Sequence, residues 1–486
     1  MPDLRPGLRL GQRLGSRLGL LRQADYRRYW SASTVSLFGT QVSQIAIPVI
    51  AVIVLHATPF EVALLATVEF LPWILFTLPA GVWVDRLPRR RLLIAGDLGR
   101  AAMLVSIPLA DLLGVLTVWQ LFVVGFANGV FTVFFDVADQ SYLPTVVERD
   151  ELVEGNAKLQ VSASSAQILG QPVGGGLVAL LTAPFAVVID AVSFVGSAVL
   201  ISRIQRQEAG QEAGQEAGRG SADGSPASAR PGMRREMAEG LRYVFGNPYL
   251  RSIAASTGSS NLFSNIVFAV FAVYVYRELG LSPAEVGLIG GIGGFGVLAG
   301  ALLANPIAER LGVGRTIVVS MALTGPAGLL VPLASPTLAV PFLGGAAFLG
   351  AMLGVIYNVN QVSLRQAITP GRFLGRLNGT IRFLVWGTIP IGALIGGILA
   401  TVFGTHTGIW IGSILGLTTF LPLVFSPVPG LQRIPDRVDE QDGKDVGDGR
   451  SEGEGEGAGA AELVGGAASE LVHAGQEAPT VIPDRD

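Results

Sequence analysis

Glu69 and Asp190 each lie about two turns inside a stretch that carries no other charge, 62–84 and 184–202 respectively. A carboxylate placed at the centre of a hydrocarbon layer costs about 2.5–3.5 kcal/mol on insertion scales, so each is a functional candidate by position alone. Carboxylates in a low-dielectric cavity exchange protons near neutral pH. That makes Glu69 first, and Asp190 second, a candidate proton carrier. For Asp190 the alternative is a structural bond to a neighbouring helix. Arg382 sits about two turns into 376–402 from the opposite side, with Trp386 one turn further. It would serve as a counter-charge or bind an anionic solute. Gln41 and Gln44, three apart, Asn261 and Asn265, four apart, and Asn128 are neutral polar residues inside apolar stretches. They are candidates for a cavity wall or for hydrogen bonds between helices. Asp136 and Asp139 fall near a stretch end, where solvation is expected.

Charge also gathers at the stretch ends. Gly81-Val-Trp-Val-Asp85-Arg86-Leu-Pro-Arg89-Arg90-Arg91 returns as Asn305-Pro-Ile-Ala-Glu309-Arg310-Leu-Gly-Val-Gly-Arg315, at an offset of 224 (309 − 85, 310 − 86, 315 − 91). Charge-assisted bonds at a partly dry interface suit a latch that forms in one conformation and breaks in another. Orientation alone would explain the arginines but not the acidic residue in both copies. Asp97 and Arg100, at i and i+3, share a helix face and pair with each other or with this cluster. Gly170-Gln171-Pro172-Val-Gly174-Gly175-Gly176 supplies glycines for close helix approach and a proline that removes a backbone bond, a bendable seam.

These residues must be held by membrane helices. Of 486 residues, 50% are apolar and 15% charged, against about a quarter charged in soluble domains. A membrane helix needs about 20 mostly apolar residues. Twelve stretches qualify: 30–55, 62–84, 92–112, 117–137, 158–181, 184–202, 250–276, 285–305, 316–334, 338–358, 376–402 and 408–426. Connections after the second, eighth and tenth hold Arg86, Arg89 to Arg91, Arg310, Arg315, Arg365 and Arg372. Those after the first, third, fifth, ninth and eleventh hold no Lys or Arg, and that after the seventh holds Arg277 only. The excess of arginine places the even-numbered connections and both termini in the cytoplasm.

The halves echo one another elsewhere too. Thr58-Pro59-Phe-Glu61-Val62 matches Ser282-Pro283-Ala-Glu285-Val286 at 224, and Asp136-Val137, Asn156 and Gly175 match Asn358-Val359, Asn378 and Gly397 at 222. Parallel repeats of this kind place a substrate site near the midplane between halves. The expected organisation is a basic arm (1–24), a six-helix half (25–202), a hydrophilic linker with a Gln-Glu-Ala-Gly repeat and a short surface helix at its end (203–248), a second half (249–427) and an acidic tail (428–486). Residues 431–486 hold 14 acidic and five basic residues, so the rest of the chain is net positive, −3 + 9 = +6.

At Gly81-x-x-x-Asp85-Arg86-x-x-Arg89-Arg90-Arg91 the chain resembles the loop signature of the major facilitator superfamily, over roughly residues 20–427. Within it, Ala24-Asp-Tyr-Arg-Arg-Tyr-Trp30, Ala95-Gly-Asp97-Leu-Gly-Arg100, Asp190-Ala-Val-Ser-Phe194 and Asn378-Gly-Thr380 through Trp386 resemble the enterobactin-exporter and macrolide-efflux branch. The resemblance implies an all-α membrane protein of twelve transmembrane helices in two parallel six-helix repeats. It implies that the first and seventh helices line the cavity, and that Gly81, Asp85, Arg86, Arg89, Arg90, Arg91, Asp97, Arg100, Glu309, Arg310 and Arg315 belong to a cytoplasmic gate. Pro172, Gly175 and Gly176 match the Pro-x-x-Gly-Gly end of an exporter signature, a helix 5 hinge. The family's helix 4 arginine is missing: Trp119 to Asp139 holds no basic residue.

There is no cysteine and there are three scattered histidines, which exclude disulfides and a histidine metal cluster. No Gly-Lys-Ser/Thr phosphate loop occurs, so no cofactor, no nucleic-acid partner and no enzymatic activity are expected. The reading is a monomeric secondary transporter of the plasma membrane that exports a small amphipathic compound of drug, macrolide or siderophore type by proton antiport with alternating access. A nutrient importer of the same fold and a non-transporting receptor or scaffold are the alternatives.

Overall fold

A computed structural model describes residues 19–84, 87–205, 233–370, 377, 379–381 and 384–434. The basic arm, Asp85, Arg86, Arg372, Arg382, the linker repeat and the acidic tail lie outside the described residues. Among the described residues the chain is helical and has no strand. Ten helices are long and apolar enough to cross a membrane. They are α1 (Ala24–Val54), α2 (Pro59–Val84), α3 (Arg89–Leu112), α4 (Val118–Val146), α6 (Ala183–Ser202), α8 (Pro248–Glu278), α9 (Pro283–Leu311), α11 (Ala339–Ala367), α12 (Thr388–Phe403, with a more N-terminal portion) and α13 (Thr405–Val424). α10 (Val313–Leu329) is shorter. α5 joins Leu152–Ser165 to Gln171–Leu181 through a π-turn at Ala166–Gly170, and its first half carries Glu154, Asn156, Lys158 and Gln160. α7 (Met233–Gly246) is helical where a short helix is expected, and it buries Val244 against Leu250 of α8.

Several helices outrun their apolar stretches. α4 continues to Val146 and α11 to Ala367, about nine residues past the expected ends. Hydropathy marks the length that meets lipid; the backbone ladder goes on until a residue leaves helical angles, as Val147 does at φ −120°.

The echo around Thr58 and Ser282 has a local cause. In each copy the hydroxyl accepts the backbone N–H three residues on (3.3 Å), and the Glu side chain reaches back to the first residue's N–H (2.7 Å from Thr58, 2.8 Å from Ser282). This is a capping box, built twice. The preceding helices both end in a π-turn, Ile50–Val54 and Tyr274–Glu278. A positive φ follows each, 52° at His56 and 67° at Gly280. Each pair again differs by 224.

A second link is built three times. Thr182 (φ 65°, ψ 151°), Gly312 (85°, 148°) and Gly404 (89°, 152°) each end one helix and open the next. Glycine takes this backbone freely, whereas a β-branched residue is strained there by about 1–3 kcal/mol. The extra chain entropy of glycine when unfolded offsets part of that. Thr182→Gly is therefore expected to stabilise the protein by about 1 kcal/mol, read as a higher midpoint of thermal unfolding in detergent. A lower midpoint would mean that the threonine side chain makes a contact worth more than the strain.

Packing divides the molecule into a joined end and a split end. Near the short links α1–α2 and α8–α9, one apolar cluster includes Val49 and Ile50 of α1, Ala63 of α2, Val270 and Tyr274 of α8 and Ala393 of α12. It spans both halves. At the end nearer the described termini the clusters are separate: Tyr29, Tyr142 and Ile201 in one half, Ile253, Ile317 and Tyr357 or Leu250 and Val385 in the other. Large apolar residues such as Leu109, Leu302 and Val402 stay exposed on the outside, as a lipid-facing surface requires.

Two glycine seams hold the joined end. A Cβ added at Gly175 of α5 would stand 2.3 Å from the Pro283 carbonyl oxygen and 3.0 Å from Gly287 Cα of α9. One at Gly397 of α12 would stand 2.6 Å from Ala63 Cβ of α2. Such backbone approach needs glycine on at least one side. Arg277 adds a bond across the halves, donating from Nη2 to the Val52 carbonyl (2.8 Å).

Candidate functional site

Between the halves lies a cavity of about 1160 Å³. Its wall is largely apolar and aromatic, with Trp73, Phe263, Phe271 and Tyr276 among its members. Glu69 and Asp190 both reach it. Glu69, half-buried on α2, makes no hydrogen bond or ion pair among the described residues. Two glycines of α4 make room for it: a Cβ at Gly125 would lie 2.8 Å from Glu69 Cγ, and one at Gly129 would lie 2.8 Å from the Glu69 carbonyl oxygen. The spacing Gly125-x-x-x-Gly129 is a small-residue packing signal that a search confined to ionisable residues passes over. Trp73, one turn from Glu69, and Phe70 pack edge-on against Trp386, with centroids 6.1 and 6.2 Å away. Trp386 thus braces the wall instead of lining it.

Asp190 is buried and held. Ser43 Oγ of α1 donates to Oδ2 (2.5 Å), and Ser193 Oγ lies 3.2 Å from Oδ1. Gly39 lets α1 come this close, since a Cβ there would meet Ser193 and Asp190. The bond to a neighbouring helix exists, and Asp190 reaches the cavity as well.

The neutral polar candidates divide. Gln44, Asn128 and Asn265 line the cavity. Gln41 instead packs on Gly170, whose added Cβ would lie 2.6 Å from Gln41 Cγ. Asn261 Nδ2 donates to the Val385 carbonyl (3.2 Å), a bond from α8 to α12. Gln171, just before the hinge Pro172, also reaches the cavity and presses its amide on Gly290 of α9.

Of the gate candidates at the split end, Arg89 and Arg90 are anchored on neighbouring helices. Arg89 donates to the Ser141 carbonyl of α4 (3.1 Å), and Arg90 donates through Nε to the Ile201 carbonyl of α6 (3.2 Å) and through Nη2 to Ser202. The Arg90 guanidinium satisfies the last carbonyls of α6 and its negative dipole end. Arg91 is exposed. Among the described residues, a Cβ at Gly81 would meet nothing within 4 Å. Glu309, Arg310 and Arg315 are exposed and form no ion pair among the described residues. Asp97 and Arg100 pair with each other, buried inside α3, and Arg100 reaches the cavity. Asp139, expected to be solvated, accepts a bond from the buried Tyr29 hydroxyl (2.7 Å), because α4 carries it under α1. In the hinge, Pro172 packs on Gly291 and Gly175 on Pro283, while a Cβ at Gly176 would meet nothing within 4 Å among the described residues.

Residues 15–441 match the family described as transmembrane secretion effector. The chain is similar to the multidrug efflux pump Tap of Mycobacterium tuberculosis, 26% identical over 392 residues that cover 77% of this chain and 87% of that one. It is also similar to macrolide efflux protein A of Streptococcus pyogenes, 23% identical over 394 residues, 78% of this chain and 89% of that one. In fold it is similar to a bacterial homologue of the iron transporter ferroportin in the inward-facing state, with a TM-score of 0.64 at 17% identity, covering 84% of this chain and 98% of that one. These proteins are transporters, not enzymes, and the described helices make this chain a multi-pass membrane protein. The chain belongs to the transmembrane secretion effector family of major facilitator superfamily transporters.

Proposed function

We propose that this transporter exports a small amphipathic compound, of the drug, macrolide or siderophore kind, in exchange for protons. The observation that carries the proposal is Glu69, a carboxylate without a partner among the described residues, set in an aromatic cavity between two halves. Such a wall favours a bulky amphipathic solute over a sugar, and an embedded carboxylate supplies the exchangeable proton. The efflux pumps among the relatives support the direction.

The proposed arrangement is twelve spans in two parallel repeats, with 25–202 and 249–427 as the halves. The doubled capping boxes, π-turns and positive-φ links support it. In this reading the protein is a monomer of the plasma membrane with both termini in the cytoplasm, by the arginine excess near the split end. The split end then faces the cytoplasm, and the cavity is in its inward-facing state. The glycine seams and Arg277 form the outer closure that must part for release. Gln44, Asn128, Asn265 and Arg382 are proposed solute contacts.

The test is uptake of a macrolide and of an amphipathic dye into inside-out vesicles. Acidifying the vesicle interior is expected to drive accumulation. A nutrient importer would give no such accumulation, and a receptor would give no flux at all.

The gate clusters give a further expectation. One copy has Gly81 and three consecutive arginines, two of them bonded to carbonyls of neighbouring helices; the other has Asn305 and exposed charge. Asp85→Asn should therefore lower the transport rate more than Glu309→Gln at equal abundance in the membrane. Equal losses would overturn this asymmetry.

A further inference from the structure

The guanidinium of Arg100 sits between two aromatic faces, with the Phe135 and Phe194 ring centroids each 4.1 Å from its Cζ. The rings fix its plane and leave its N–H groups to point outward at the rim of that plane. One of them reaches Asp97 Oδ1. Nε makes no hydrogen bond, nor does Asp97 Oδ2, although both residues are more than nine-tenths buried. Ser197 Oγ of α6, also buried, lies near the Asp97 carboxyl without completing a bond.

The titratable groups around this slot come from four helices. They are Asp97 and Arg100 on α3, Asp136 and Asp139 on α4, and Asp190 on α6, with the Tyr29 hydroxyl of α1 on Asp139. Glu69 of α2 faces the same cavity. α5 has no charged residue between Gln160 and Leu181. Asp136, Asp139 and Asp190 all lie within electrostatic reach of Arg100. Among the described residues, four carboxylates thus share one cation in a largely buried space, where net charge is prohibitive unless it is neutralised. Arg100 and Asp190 also line the cavity together.

We propose that Arg100 is the positioning residue for proton release from Asp190: its guanidinium pivots within the Phe135–Phe194 slot between Asp97 and Asp190. When the Asp190 carboxyl loses its proton to the cavity, the O–H bond breaks, the carboxylate keeps the electron pair, and the guanidinium turns toward it. When Asp190 takes up a proton again, Arg100 returns to Asp97. The slot keeps the plane fixed, so the motion needs no rearrangement of the helices. This rests on the proton-antiport reading, with Asp190 as one proton carrier.

The test is the pH profile of proton-driven uptake in inside-out vesicles holding the full chain, with the amphipathic dye as probe. Asp97→Asn frees Arg100 for Asp190 and removes a negative charge, so the midpoint should fall by about one pH unit. Arg100→Gln removes the counter-charge, so the midpoint should rise by about one unit. The double variant Asp97→Asn/Arg100→Gln should return near the wild-type midpoint, and it preserves the balance of charge if the single arginine variant fails to fold. Arg100→Lys keeps the charge and should leave the midpoint nearest to wild type. A purely structural ion pair would lower the rate at every pH in both single variants without opposite shifts, and that result would overturn the proposal. If Asp190→Asn leaves proton-driven uptake intact, the antiport role of Asp190 fails, and this inference with it. If Asp190→Asn abolishes uptake and the midpoints do not move in opposite directions, only the role of Arg100 fails.

Discussion

Glu69→Gln is expected to remove one proton's share of the accumulation driven by a pH gradient. Gln keeps the size and polarity of Glu69 and its fit against Gly125 and Gly129, but it carries no exchangeable proton. Each unit of pH gradient supplies about 1.4 kcal/mol per exchanged proton, a factor of about ten in accumulation. In inside-out vesicles with a one-unit gradient, the variant should lose that factor for each proton that Glu69 carries. Solute exchange across vesicles with no gradient should persist, because the cavity wall is otherwise unchanged. Accumulation at the wild-type level would sink the role of Glu69 as proton carrier. Loss of both accumulation and exchange would assign the residue to solute binding instead.

Gly175→Val should force the joined end open. Its Cβ would meet the Pro283 carbonyl and Gly287 Cα, both backbone atoms, so no side chain can give way. Overpacking of this kind costs about 1–3 kcal/mol, and here α5 can relieve it only by moving away from α9. Each 1.4 kcal/mol shifts the two conformations about tenfold. The chain has no cysteine, so one placed at the cavity position Asn265 can be followed alone. A membrane-impermeant thiol reagent applied from the joined end should label it about tenfold faster in the Gly175→Val background. Gly176→Val is the matched control, since its Cβ would meet nothing within 4 Å among the described residues. If the two backgrounds label equally, the α5–α9 seam does not control access.

The doubled capping boxes were legible in the sequence because they are local. Thr58 and Glu61, or Ser282 and Glu285, meet through one turn of helix whatever surrounds them. The pairing of Asp97 with Arg100 was open for the same reason: i and i+3 put both on one face, and either reading of their partner respected that geometry. The helices themselves were legible because a hydrocarbon layer demands long apolar runs with internally satisfied backbones. α5 is legible only in part: the apolar stretch 158–181 marks its C-terminal portion, while the polar turn from Leu152, with Glu154 and Asn156, carries no apolar signal.

What the sequence by itself determined, then, is membership of a membrane class, the helices, their links and a short set of ionisable residues. It did not determine which polar residues share a space. Gln41 and Gln44 are three apart on one helix, yet one packs on Gly170 and the other lines the cavity. Asn261 and Asn265 part in the same way, one bonding to α12 and the other lining the cavity. In a helix that is apolar on every side there is no stripe to mark the inward face. Only the tertiary structure decides it, through backbone approach at glycines such as Gly125, Gly175 and Gly397, because each such contact fixes helix rotation and with it the direction of every side chain.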